Sequence, residues 1–149
     1  MSDPEFIDTP FFPDGMPQPD PDDPIAQGFW DAAKDGRLVV QACNACGQTQ
    51  HPPELNCHVC YAFDMGWREV AGRGAVWSYV EVVHPAHGAL TDFGPYNVAL
   101  VELDDLPEMK LLGNVIDAGP GEIQIGQAVR VVFERTADDL VQPRWKLAN

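Results

Sequence analysis

The chain has 149 residues, of which 45 % are hydrophobic, so it is long and apolar enough for one compact domain with a core. Asp and Glu outnumber Lys and Arg by 23 to 9, which gives a formal net charge of −14. This charge disfavours partners that are themselves anionic, namely nucleic acid and membrane surfaces. The first residues lack the basic and apolar regions of a signal peptide, and no apolar run is long enough to span a bilayer. We therefore expect a cytoplasmic protein.

Residues 1–24, called the leader below, differ in composition from the rest of the chain. They hold seven of the 14 prolines and seven acidic residues, with no Lys or Arg. Such a sequence buries too little apolar surface to fold alone, so we expect it to be extended and mobile. It nevertheless contains Phe11 and Phe12. Two interpretations stay open: a solubilising tail, or an arm that docks these phenylalanines on a partner.

A short amphipathic helix is predicted after the leader. Asp23 has the residue type of an N-cap, and Ile25, Phe29 and Ala33 recur at the spacing of one helical face. Gly36 then supplies the conformation that ends a helix. One apolar stripe is therefore available to pack against the rest of the protein.

All four cysteines lie in two C-x2-C knuckles separated by ten residues. Each two-residue spacer lets a tight turn aim both sulfurs at one point, and two such turns complete a tetrahedral Zn²⁺ site. The predicted ligands are Cys43, Cys46, Cys57 and Cys60. Four thiolates leave no open coordination position, so this zinc is predicted to be structural. Iron in a rubredoxin-type electron carrier stays an alternative, although Tyr61 follows the second knuckle where a rubredoxin has glycine.

From residue 38 onward the pattern is typical of β-strands separated by Gly and Pro. The predicted strands span 38–42, 67–70, 75–84, 97–104, 110–117 and 129–135. Alternation places Val76 and Val80 on one face of the long strand, and it places Phe133 and Glu134 on opposite faces of the last strand. Closely spaced strands with little helix predict a small barrel or sandwich.

The histidines and serines complete no catalytic set. We expect His51 and His58, which lie near the knuckles, to be exposed loop residues. His84 and His87 border a loop after the long strand, but no other residue completes a dyad with them. The thiols are committed to metal, and neither serine lies in a nucleophile motif. The chain is therefore predicted not to catalyse a reaction alone.

The order of these parts resembles the DUF35 family over about residues 25–147. The resemblance is carried by Phe29-Trp30, Gly36-Arg37-Leu38, Gln41, the knuckles with Gly47, Pro52-Pro53, Gly72-Arg73-Gly74, the strand Tyr96–Leu103 and Ile125-Gly126-Gln127-Ala128-Val129. It implies a mainly β protein with an N-terminal helix, a rubredoxin-like zinc ribbon and a five-stranded OB-fold barrel. The leader at 1–24 lies outside the resemblance, and the expected division of the rest is helix plus ribbon at 25–64 and barrel at 65–149.

The resemblance also implies a function. DUF35 proteins are accessory subunits of thiolase-like enzymes (thiolases, acyltransferases or steroid side-chain retro-aldolases) that act on acyl-CoA. The resemblance implies that this chain is a non-catalytic zinc subunit of a hetero-oligomer. It would stabilise the catalytic subunit and shape the substrate site of that subunit. The catalytic subunit would hold most of the acyl-CoA. Our candidate partner contacts are Phe11, Phe12, His84 and His87. The alternative is a module for single-stranded nucleic acid, which the net charge disfavours.

Overall fold

The structure is a computed structural model that describes residues 3–148. Within that range it contains one α-helix, α1 (Gln27–Lys34), and a 3₁₀ turn at Gly88–Leu90. The strands are β1 (Phe6–Ile7), β2 (Leu38–Cys43), β3 (Thr49–Gln50), β4 (Met65–Val70), β5 (Arg73–Val82), β6 (Tyr96–Leu103), β7 (Leu106–Gly113), β8 (Ala128–Ala137) and β9 (Leu140–Leu147). No helix among the described residues has the length and hydrophobicity needed to cross a membrane.

The strands form two sheets. A small antiparallel sheet has the order β3-β2-β4, and it carries the cysteine knuckles. The larger sheet has the order β1-β8-β5-β6-β7, with β9 paired to the other edge of β8. A parallel bridge between Val115 and Trp145 joins the chain after β7 to β9 and so closes a barrel of five long strands. The predicted fold class is confirmed: a mainly β chain with one helix, a zinc-ribbon-like cysteine cluster and an OB-fold sheet.

One hydrophobic core connects the two sheets. It takes Val40 from β2 and Val70 from β4, and it continues into the barrel through Val101 and Trp145. The helix contributes Phe29 to the same cluster. β4 pairs with β2 along its whole length, so residues 65–70 link the ribbon sheet directly to the strand β5 of the barrel.

The helix begins later than its sequence signals predict. Asp23 does not cap it, because its Oδ1 accepts a hydrogen bond from Ile25 N at 3.0 Å within a preceding turn. The N-cap is Ala26, which makes no side-chain cap. The buried face accordingly consists of Phe29, Ala32 and Ala33 rather than starting at Ile25. The predicted end is confirmed, since Gly36 has φ of +75° directly after the last turn.

A β-bulge overturns the predicted faces of the long strand. The register between β5 and β6 shifts between Val76 and Ser78, so Trp77 is an extra residue. Val76 is 1 % exposed, whereas Val80, beyond the bulge, is 59 % exposed. The prediction that these two valines share one face is therefore wrong, because the inserted residue reverses the alternation.

Strand β9 was missed by the sequence pattern. Pro143 lies in its middle, and proline argues against a strand that is paired on both edges. Here β9 pairs along its length with β8, where Pro143 lies opposite Phe133, and the bridge from Val115 meets its other edge at Trp145, two residues beyond the proline. Trp145 on the same strand is 1 % exposed in the barrel core.

The described part of the leader lies along the barrel, which differs from the expectation of an unattached segment. β1 pairs in parallel with β8, and the Phe6 ring lies 5.7 Å from that of Phe133. Phe12 packs edge-on against Tyr96 at 5.3 Å. Glu5 accepts a 2.7 Å bond from Lys146 Nζ, which is the main reason that the pKa of this carboxyl is lowered. The apolar side chains of the leader thus find partners within their own chain.

Glu134 is buried although it alternates with the core residue Phe133 along β8. This carboxylate is 1 % exposed. Its Oε1 accepts from Phe11 N at 2.8 Å, and its Oε2 accepts from Arg144 Nη2 at 3.3 Å. The leader and β9 together cover the face of β8 that carries this carboxylate.

Candidate metal centre

The two knuckles place their cysteines with the same backbone geometry. After the first, Gly47 has φ of +81° and its N–H donates to Cys43 O at 2.9 Å. After the second, Tyr61 has φ of +63° and its N–H donates to Cys57 O at 3.0 Å. A tyrosine in this left-handed region costs on the order of 1 kcal/mol relative to a glycine. The second knuckle therefore carries a conformational cost that the first knuckle, with Gly47, avoids.

The four sulfurs converge on one point. Cys43 Sγ lies 3.5 Å from Cys60 Sγ, and Cys46 Sγ lies 3.7 Å from Cys57 Sγ. All four sulfur atoms are within 4.8 Å of one another. A tetrahedron with Zn–S bonds of about 2.3 Å has sulfurs about 3.8 Å apart, so the donor set fits a zinc ion. With four thiolates the coordination is complete, and the ion would hold the ribbon together without taking part in a reaction.

Backbone amides stabilise negative charge on the buried sulfurs. The N–H groups of Cys60 and Val59 donate to Cys57 Sγ at 3.5 and 3.4 Å, and that of Cys46 donates to Cys43 Sγ at 3.4 Å. The amide of Cys60 is the main cause that lowers the pKa of Cys57 to about 6. The amide of Cys46 likewise lowers the pKa of Cys43. Since zinc binds thiolates, these amides prepare the site for the metal.

A pair of buried glutamines braces the second knuckle. Gln50 Nε2 donates to Gln41 Oε1 at 2.8 Å and to Asn56 O at 3.0 Å. Gln50 Oε1 accepts from His58 N at 3.0 Å, and Gln41 Oε1 accepts from Glu54 N at 2.9 Å. This bracing role of the two glutamines was not predicted from the sequence. The signal in the sequence that could have revealed this role is the presence of two amide side chains on the short strands next to the knuckles.

The histidines divide between the core and the surface. His51 is half-buried with its ring 5.5 Å from that of Phe29, so the expectation of an exposed residue is wrong. Burial lowers the pKa of this imidazole. His58 is exposed, as expected. His84 and His87 are also exposed, and His87 Nδ1 accepts from Ala89 N to cap the 3₁₀ turn. Their role as partner contacts stays a prediction.

Comparisons with known proteins match both halves of this fold. Residues 30–66 match the family model of the ChsH2 rubredoxin-like zinc ribbon, and residues 67–134 match that of the ChsH2 C-terminal OB-fold domain. A solved structure titled Ltp2-ChsH2(DUF35) aldolase contains a chain that is 35 % identical, with a TM-score of 0.74. That alignment covers 90 % of this chain and all of the other. The chain belongs to the DUF35 family.

Two curated relatives and a second structure are also similar to this DUF35 chain. A probable enoyl-CoA hydratase alpha subunit from Thermomonospora curvata is 40 % identical over 121 residues, which are 80 % of this chain but 37 % of that relative. This chain thus spans little more than a third of that relative's length. A DUF35 domain-containing scaffold protein from Methanocaldococcus jannaschii is 29 % identical over 68 % of this chain and 71 % of its own. A DUF35 protein of unknown function from Sulfolobus solfataricus shares the fold at 19 % identity and a TM-score of 0.55, over 85 % and 87 % of the two chains.

Proposed function

We propose that this DUF35 protein is the non-catalytic zinc subunit of a hetero-oligomeric enzyme that acts on acyl-CoA, with a thiolase-like catalytic partner. The observation that carries the proposal is the similarity to the whole ChsH2(DUF35) chain of an Ltp2-ChsH2 aldolase. Among thiolases, acyltransferases and retro-aldolases, that neighbour favours a retro-aldolase. Relatives described as an alpha subunit and as a scaffold protein support a role within an assembly.

The chemistry of the described residues supports a partner that supplies the reacting groups. All four thiols converge on the metal site. Ser78 is half-buried in the middle of β5, and His84 and His87 are exposed. The nucleophile and the acid–base residues would accordingly lie on the catalytic subunit, which would also hold most of the acyl-CoA. The zinc protein would stabilise that subunit and shape its substrate site.

The ribbon offers a surface for this partner. Four large apolar side chains around the second knuckle are between 54 % and 71 % exposed: Leu55, Val59, Tyr61 and Phe63. We call them the ribbon patch. Exposed apolar groups that cluster in this way mark interaction sites, and tyrosine is enriched at the centres of interfaces. The left-handed backbone of Tyr61 is explained if contact between its ring and the partner offsets the strain.

Co-expression with the thiolase-like protein encoded nearest in the native host tests the proposal. We expect a complex that survives gel filtration, with acyl-CoA cleavage by the pair and none by this chain alone. Full activity of the partner alone would refute the proposed role. Tight, salt-sensitive binding of single-stranded DNA would favour the nucleic-acid alternative instead.

A single substitution tests the ribbon patch. Tyr61→Gly removes the aromatic ring but suits the left-handed backbone, so it should preserve zinc binding and thermal stability. Loss of a central interface tyrosine costs about 2 kcal/mol or more, so we expect affinity for the partner to fall at least about tenfold. The matched control is Ile125→Gly, which removes an equally exposed side chain from a barrel loop and should bind normally. Equal binding by both variants would exclude the ribbon patch as the interface.

A further inference from the structure

A cleft of about 630 Å³ opens beside the barrel, away from the cysteine knuckles. It lies between α1, the turn at residues 51–53 and the strands β6, β7 and β9. Its walls are largely aromatic and aliphatic, and they include Phe29, Trp30, Tyr96, Val98, Leu112 and Trp145. This volume lies in the range of about 300–1,000 Å³ that is typical of small-molecule sites.

A buried arginine lines one wall of the cleft. Arg144 is 9 % exposed. Its Nη1 donates to Asn114 Oδ1 at 3.1 Å, and its Nη2 donates to Glu134 Oε2 at 3.3 Å. Its Nε is buried and has no hydrogen-bond partner among the described residues. The carboxylate of Glu134 thus balances the positive charge of Arg144, but the Nε–H group of this arginine remains a donor without an acceptor.

His51 lines the same cleft and is similarly unmatched. Its Nδ1 is buried and has no partner. Burial lowers the pKa of the ring, so the imidazole is neutral at pH 7. Within residues 3–148, the buried side-chain polar atoms that lack a partner are these two, and both residues line this cleft. Because buried polar groups are almost always hydrogen-bonded, these two nitrogens are candidates for a hydrogen bond to a bound molecule.

We propose that this cleft binds a neutral, largely apolar small molecule that carries an acceptor oxygen, such as a ketone or ester carbonyl. A carboxylate or phosphate would find the positive charge of Arg144 already neutralised by Glu134, whereas a carbonyl needs only a donor. The guanidinium lies 5.3 Å from the centroid of the Phe12 ring. We expect the ligand to displace that ring and accept the bond from Nε. This inference concerns a site on this chain alone and does not depend on the proposed catalytic partner.

Nile red tests the cleft, because it is neutral, polycyclic and carbonyl-bearing and its fluorescence rises in apolar sites. With the full zinc-loaded chain we expect saturable binding at one site. Val98→Trp, which fills the cleft from β6, should weaken binding at least about tenfold, because the larger side chain occupies the volume that the ligand needs. The matched control is Ile125→Trp, on a loop outside the cleft, which should bind as the parent does. Anionic anilinonaphthalene sulfonate should bind more weakly than Nile red.

His51→Phe separates a binding role from a structural one. Phenylalanine keeps the ring against Phe29 but removes the unmatched nitrogen, the second polar contact proposed for the ligand, so the melting temperature should rise while Nile red affinity falls about threefold or more. If Val98→Trp does not fold, Leu112→Glu at the rim of the cleft replaces it, with Ile125→Glu as its control. Equal binding by cleft and control variants, or a loss of binding caused by Tyr61→Gly in the ribbon patch, would overturn the proposal.

Discussion

Glu134 shows, at the scale of one residue, how a carboxylate can become part of a core. Alternation along β8 places it on the face opposite to Phe133, yet both side chains are 1 % exposed. Its two oxygens are held by different parts of the chain, the amide of Phe11 in the leader and the guanidinium of Arg144 on β9. A buried charge is tolerated only when it is paired and hydrogen-bonded, and both conditions are met here.

Neutralising this carboxylate should be costly. Glu134→Gln keeps the shape of the side chain but leaves Arg144 as an uncompensated buried charge. Removing one partner of a buried ion pair costs about 3–5 kcal/mol, so urea unfolding should show a loss of that size. Glu122→Gln is the matched control, since that exposed carboxylate accepts a 2.6 Å bond from Gly119 N in a surface turn. Equal stabilities of the two variants would contradict the buried-pair description.

At the scale of the element, the leader behaves as a part of the barrel. Its strand β1 adds to the edge of β8, and its two adjacent phenylalanines pack on Phe93 and Tyr96. Glu5 forms ion pairs with Arg130 at 3.1 Å and with Lys146 at 2.7 Å. The acidic, proline-rich leader is therefore ordered by apolar contacts with the barrel and by ion pairs with basic residues of the barrel. Its own sequence contains no Lys or Arg and too little apolar surface to fold alone.

Deleting residues 1–20 should destabilise the barrel. Burial of a Phe side chain contributes about 1.5–3 kcal/mol, so removing three partly buried ones should lower the unfolding free energy by at least about 2 kcal/mol. The expected measurement is a lower midpoint in chemical denaturation with zinc still bound. Pro17→Ala, at an exposed leader position, is the control and should leave the midpoint unchanged. An unchanged midpoint after the deletion would show that the leader is held only weakly.

At the scale of the whole molecule, the metal site and the barrel share one core. Val40 and Val70 of the ribbon sheet belong to the same buried cluster as Phe133 and Trp145 of the barrel. The zinc site fixes the ends of β2 and β4 through the knuckles. Because the same strands bury apolar side chains against the barrel, loss of the metal should also destabilise the barrel.

Cys57→Ala tests this coupling. The variant should lose zinc, whose binding provides on the order of 10 kcal/mol in structural sites, and the ribbon should unfold. Hydrogen exchange should then accelerate in β8 and β9 as well as in β2 and β4. His58→Ala, which changes the adjacent exposed residue, should retain one equivalent of zinc. Normal protection of β8 in the zinc-free variant would show that the barrel folds independently of the ribbon.

The cysteine site could be predicted from the sequence because its information is local. A C-x2-C knuckle is a tight turn whose geometry depends on a few neighbouring residues, so the spacing alone identified the four sulfurs that the structure brings together. The helix end at Gly36 and the approximate positions of most strands have the same local origin. The acidic composition likewise disfavoured anionic partners without any knowledge of the fold.

What only the tertiary structure decided depends on residues far apart in the chain. Pro143 is acceptable in β9 because that strand pairs chiefly with β8, and no local pattern shows which strands are neighbours. The bulge at Trp77 moves Val80 to the surface, and the leader and β9 bury Glu134. Arg144 and His51 meet at one cleft only when β9 and the turn after β3 are folded beside α1. These outcomes depend on which apolar surfaces are buried together. That is determined by the packing of the whole chain and not by the spacing of neighbouring residues.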